Sequence, residues 1–154
     1  MAPIDSDSIA RQARLIAEGA ALRDEKLLGV CNLLKEEVEH YDWVGFYLVS
    51  DANPAELVLG PYAGASTDHT SIPFGQGVCG QCAEREETIV VQDVSKESNY
   101  LSCSIHVQSE IVVPVMRDGT FVGEIDIDSH EVAPFTDADS AVLERVAEIV
   151  APII

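Results

Sequence analysis

Basic residues are scarce in this chain. Nine Lys and Arg, only three of them Lys, stand against 27 Asp and Glu, for a formal charge of −18 over 154 residues. A surface of that sign repels phosphate backbones and anionic lipid heads, so nucleic acid and membrane are not expected partners. It suits a salt-rich cytoplasm or simple solubility. Long apolar runs are missing too, and none approaches the ~20 residues that a spanning helix needs. Asp5, Asp7, Arg11, Arg14 and Glu18 break up the opening segment, so no secretory leader is expected there and the cytoplasm is the expected compartment. Cysteine is sparse, with four residues, and in a reducing compartment these do not suggest a disulfide framework. They are left as buried thiols, metal ligands or redox catalysts. Apolar side chains, by contrast, are plentiful at 47%. One domain spanning 1–154 is expected, burying roughly two-thirds of its unfolded surface.

Periodicity predicts two helices at the start. Ile9, Ala13, Ile16 and Ala20 recur at helical spacing, and Leu27, Cys31, Leu34 and Val38 fall on one stripe. Cys31 lies within that stripe and reads as a small core residue. Trp43 to Val49 reads as a strand, Asp51 to Pro54 as a turn, and Leu57 to Leu59 as the start of a return strand. A loop is expected from Gly60 to Gly77, punctuated by Gly60-Pro61, Pro73, Gly75 and Gly77. Next come a short helix from Val78 to Arg85, a short strand from Thr88 to Val91, and an irregular stretch from Asp93 to Gln108. Glu110 to Val115 and Phe121 to Asp128 form a hairpin around Asp118-Gly119. Thr136 caps a last helix, with Asp139 three residues on. Helices at both ends of antiparallel hairpins give an α+β fold, a sheet with its helices on one face.

Three groups of residues carry possible chemistry. In Gly75-Gln-Gly-Val-Cys79-Gly80-Gln-Cys82, a helix starting near Val78 directs its free N–H groups towards Cys79. That setting favours a thiolate and could also hold a small carboxylate. The Cys79/Cys82 spacing also suits half a zinc site, but only Cys103, His69 and His106 remain for the other half and their placement is irregular. No metal is therefore expected. Cys103 sits in the polar loop segment Ser98 to His106, where catalysis and loop-pinning are equally plausible roles. Asp126 and Asp128 alternate along their strand and share a face, opposite to Ile125 and Ile127. Their mutual repulsion raises the pKa of at least one, giving a carboxyl that can donate a proton. A solvated strand face is the competing reading, with Glu124 on the same face as a solvated bystander. Trp43 and Tyr47 share a face of the first strand and fit either core or pocket wall.

Together these segments resemble the GAF domain family and, within it, the free methionine-(R)-sulfoxide reductases. The resemblance rests on Trp43-Val-Gly-Phe-Tyr47, Leu57-Val-Leu-Gly-Pro61, Ile72-Pro-Phe-Gly-Gln-Gly-Val-Cys79-Gly80, Cys103, Ser109-Glu-Ile-Val-Val-Pro114, Gly123-Glu-Ile-Asp-Ile-Asp-Ser129 and Phe135-Thr-Asp-Ala-Asp139, in that order. It implies a six-stranded antiparallel sheet and, commonly, a homodimer. It implies Cys103 as the thiol that attacks the sulfoxide sulfur, with Cys79 close by. It further implies Glu110, Asp126 and Asp128 as the carboxylates around the sulfoxide oxygen and the substrate ammonium. Trp43 and Tyr47 become the aromatic wall, with Val78 and Gly80 among the substrate-binding residues.

The implied reaction needs no metal or organic cofactor. Cys103 becomes a sulfenic acid, condenses with a second thiol to a disulfide, and is reset by a thioredoxin-like dithiol. The chain departs from the family at His69, where many members carry the resolving cysteine. That role passes to Cys79 or, alternatively, to Cys82. Tyr100-Leu-Ser-Cys-Ser104 also departs from the family's usual surroundings of the attacking thiol. The competing function is a non-catalytic GAF module that senses a small ligand or redox state.

Overall fold

The computed structural model of the protein describes residues 2–101 and 105–154. Two helices lead, α1 (Ser6–Glu18) and α2 (Arg23–Glu37). Asp5 caps the first by accepting the Ser8 N–H at 3.0 Å. Strands β1 (Trp43–Val49), β2 (Glu56–Ala63) and β3 (Ser71–Pro73) follow, then α3 (Gly77–Arg85) and β4 (Ile89–Val91). A single 3-10 turn at Val94–Lys96 interrupts the next connection. The chain ends with β5 (Ser109–Arg117), β6 (Thr120–Ser129) and α4 (Asp137–Val150), which runs into a short 3-10 turn. The capping box expected at Thr136 and Asp139 is present.

The six strands form one antiparallel sheet in the order β3-β2-β1-β6-β5-β4. Its two faces bury different things. One carries Val44, Phe46, Ile111, Val113, Ile125 and Ile127, which pack against apolar residues of α1, α2 and α4. The terminal helices thus lie on one face, as expected. The opposite face carries Trp43, Tyr47, Leu57 and Val112 and is covered by α3 through Val78, Cys79, Cys82 and Ala83. Because strand side chains alternate, burying Ile125 and Ile127 under the long helices sends Glu124, Asp126 and Asp128 to the α3 face.

The loop expected from Gly60 to Gly77 is shorter than its breakers suggested. Strand β2 continues through Gly60-Pro61 to Ala63, and β3 pairs with its first half. Pairing with β1 shifts between Gly45 and Tyr47, so that Phe46 faces two residues, Gly60 and Pro61. A bulge tolerates a proline that has no N–H to give to the ladder. The Pro61 carbonyl meanwhile accepts from Cys31 Sγ at 3.5 Å. Cys31 is fully buried in the helical layer, as its stripe predicted.

Candidate active site

Antiparallel registration assembles the carboxylates. In β6, Asp128 stands opposite Trp43 of β1 and Glu110 of β5; Asp126 stands opposite Gly45 and Val112; Glu124 stands opposite Tyr47 and Pro114. Gly45 is glycine for a steric reason, since a Cβ there would lie 2.3 Å from the Trp43 ring. None of these acids is a solvated strand residue: Glu110 is 5% exposed, Asp126 and Asp128 1% each, and Glu124 0%. The competing reading, with Glu124 as a solvated bystander, is therefore excluded. In an acidic chain its type suggested the surface, but its strand phase matches Asp126 and carries it inside.

Burial dominates the protonation of this group. Desolvation raises Asp128, and the neighbouring Asp126 charge adds to it, partly offset by Glu110. Asp126 is also raised by burial, against hydrogen bonding from Glu110 and Cys79 and the charge of His69. Glu124 is raised well above its ordinary value by burial, with Asp126 adding to the shift. Cys79 and Cys82 approach Glu124 closely enough to offset part of this shift, short of well-formed hydrogen bonds. Among the described residues, both Glu124 oxygens, Asp126 Oδ1 and both Asp128 oxygens have no hydrogen-bond partner.

Helix α3 brings the thiols onto this acidic face. Cys79 Sγ lies 3.9 Å from Glu110 Oε2, and Cys82 is buried one turn further on. The expected thiolate at Cys79 is overturned. Burial first, then Asp126, Glu124 and Glu110, push its pKa well above the ordinary thiol value. Desolvation among acids outweighs the helix dipole at this position. Cys82 is raised in the same way, by burial and then by Glu124.

The helix start is built differently from the expectation as well. The Gly77 N–H is taken by Asn99 Oδ1 at 2.9 Å, and that of Gly80 by the Gln76 carbonyl at 2.9 Å. Gly80 thus offers no N–H to a ligand, and its role is close approach: a Cβ would sit 2.7 Å from the Pro73 carbonyl oxygen.

Tyr47, His69, Ile72, Gly77, Val78, Cys79, Leu101, Glu110 and Asp126 line a small cavity at the centre of this face. Tyr47 is anchored by its hydroxyl, which donates to the His69 carbonyl at 2.8 Å. Trp43 lies beside Tyr47 with ring centres 6.5 Å apart, is stacked on Tyr62, and donates its indole N–H to the Ala65 carbonyl at 2.9 Å. The structure therefore brings Tyr47, Val78, Cys79, Glu110 and Asp126 onto one cavity wall. Asp128 and Trp43 lie on the same face, and Cys82 is buried but does not line the cavity. Cys103 lies outside the described residues. His69 and Leu101 were not singled out as wall residues; His69 had drawn notice as an irregularly placed candidate zinc ligand and for standing where a cysteine was expected.

An antiparallel six-stranded sheet with helices behind it and a helix-capped polar pocket in front defines a recognisable class. The GAF domain model matches residues 21–154, and the chain belongs to that family. It is 34% identical to the free methionine-R-sulfoxide reductase of Saccharomyces cerevisiae, an alignment covering 96% of this chain and 86% of that protein. It is 38% identical to GAF domain-containing protein A of Dictyostelium discoideum, over 80% of this chain and 75% of that one. Among solved structures, the free methionine-R-sulfoxide reductase from Neisseria meningitidis in complex with its substrate superposes with a TM-score of 0.89. It shares 36% identity, covering 96% of this chain and 87% of that one. Within the GAF family, the chain falls among the free methionine-R-sulfoxide reductases.

Proposed function

We propose that the protein reduces free methionine-(R)-sulfoxide to methionine through a thiol cycle in the cavity under α3. The observation that carries this reading is the buried meeting of a thiol, Cys79, with Glu110 and Asp126 on one cavity wall. A sulfoxide sulfur is a poor electrophile until its oxygen is protonated or strongly hydrogen-bonded. Burial raises the pKa values of Asp126 and Asp128, which favours the protonated carboxyl that can donate to that oxygen. Asp126 and Asp128 bind and protonate the sulfoxide oxygen and orient the ammonium group. Tyr47 and Trp43 wall the methyl end, and the first turn of α3 at Val78 and Cys79 faces the substrate carboxylate.

The Cys103 thiolate, its proton passed through the carboxyls to the sulfoxide oxygen, attacks the substrate sulfur and forms an S–S bond; that bond breaks as the oxygen passes to Cys103, so methionine leaves and Cys103 is left as a sulfenic acid. Cys79 gives its proton to Glu110, attacks the Cys103 sulfur, and water leaves as the disulfide forms. A thioredoxin-like dithiol then reduces the disulfide by exchange. Cys79 suits the resolving role better than Cys82 because it lines the cavity, whereas Cys82 does not. The cavity holds about 10 Å³, room for about one water, so a free amino acid fits only when a wall moves. Each turnover thus includes an opening step.

The test is turnover of the two epimers of free methionine sulfoxide by the reduced protein with a dithiol donor. Methionine release from the R epimer alone is expected, together with its loss in Cys103→Ser. No release from the R epimer would sink the activity. Full turnover by Cys103→Ser would sink the mechanism while leaving the activity.

A further inference from the structure

Cys79, Glu110 and Asp126 each present one ligand atom, and the three atoms lie within 4.8 Å of one another in a buried setting. We infer that these side chains form a binding site for a thiophilic divalent cation of the zinc type. The helix contributes the sulfur and the two strands contribute the oxygens, so no spacing in the sequence announces the set. A cluster of acids alone would not suggest a metal. Here a thiol joins it, and Asp126 Oδ1 is buried at the cavity wall without a hydrogen-bond partner.

One sulfur and two carboxylates match a borderline-soft ion better than magnesium or calcium, which prefer all-oxygen shells. Three protein ligands leave a fourth position for water, as in open zinc sites. Size argues the same way. The cavity of about 10 Å³ is on the scale of a single water, enough for an ion and far too small for an amino acid. On binding, the Cys79 S–H bond breaks, sulfur–metal and oxygen–metal bonds form, and the thiol proton together with any proton held by Asp126 or Glu110 leaves to solvent. No oxidant or reductant is required.

The site itself needs only these three side chains. Its consequence rests on the reductase reading: bound metal occupies Cys79 and the carboxyls, so zinc switches the reaction off until it is removed.

The experiment titrates the reduced full-length protein with zinc chloride in a calorimeter, and with cobalt(II) followed by absorption. One equivalent should bind, and cobalt should give a thiolate-to-metal charge-transfer band. Cys79→Ser should lose the band. Asp126→Asn, which keeps every thiol, should weaken binding by about tenfold or more. Cys103→Ser should keep both the band and the stoichiometry. Persistence of the band in Cys79→Ser, or no stoichiometric endpoint with the wild type, would overturn the site. Should Cys79→Ser fail to fold, unchanged affinity in Asp126→Asn would overturn it instead. Uninhibited turnover by zinc-loaded protein refutes the switch and leaves the reductase standing. Stoichiometric zinc binding by a protein with no sulfoxide turnover refutes the reductase and leaves the site.

Discussion

Glu110 stands opposite Asp128 across β5 and β6 and 3.9 Å from Cys79 Sγ, close enough to relay a proton between thiol and cavity. Glu110→Gln keeps the shape and removes the proton acceptor, so kcat/KM should fall about 100-fold or more with the fold intact. Steady-state kinetics alongside circular dichroism checks this. Asp126 and Asp128 were legible as a pair because strand alternation is strict. Glu110 was identified by resemblance rather than by pattern. The burial of Glu124 was not legible, since in a chain with 27 acids residue type points outward and only the packing of α3 decides. The protonation of Cys79 was misread for a related reason. A helix N-terminus is visible in sequence, but the carboxylates that face it come from β5 and β6, far along the chain.

Helix α3 is the element that makes a site of this sheet face, and its entry is tightly specified. Gly77 has φ +64°, and a Cβ there would lie 2.9 Å from Leu101 Cγ. Gly77→Ala should therefore cost about 1–2 kcal/mol in urea unfolding and raise KM, since Leu101 walls the cavity. The short helix was foreseen to within one residue. The extent of β2 was not, because Gly60-Pro61 is a breaker by composition and a bulge only once β1 lies beside it. Resolution by Cys79 is also a claim about this element. Mass spectrometry of Cys79→Ser after one sulfoxide turnover should find Cys103 as a sulfenic acid or its trapped adduct. An intramolecular Cys82–Cys103 disulfide in that variant would move the resolving role one turn along α3.

At the scale of the molecule, one buried carboxylate joins the start of the sheet to the last helix. Asp139 Oδ1 accepts from Tyr41 Oη at 2.8 Å and lies 2.6 Å from His40 Nε2, while its Oδ2 accepts the Thr136 N–H at 2.8 Å. Burial would raise its pKa, but these hydrogen bonds from His40, Thr136 and Tyr41 hold it below the ordinary carboxylate value. A depressed folded pKa adds stability that is present above the unfolded value of about 3.9 and lost as pH falls through the folded one. Asp139→Ala should cost about 2–4 kcal/mol at neutral pH, and the gap to wild type should narrow in acid; urea titrations across pH measure it. The sequence showed Asp139 as a cap, and its partners His40 and Tyr41 emerge only from tertiary packing. The architecture itself was legible because helical stripes, strand alternation and the two hairpins all agreed.

The central claim, that Cys79 and Cys103 supply the electrons, has a direct stoichiometric test. Mix the fully reduced protein with excess free methionine-(R)-sulfoxide and no donor, then count methionine released and thiols lost. One methionine and two thiols per chain, with Cys79 and Cys103 recovered as a disulfide, is the predicted result. Methionine release without loss of thiols, or loss of thiols without methionine, would contradict it.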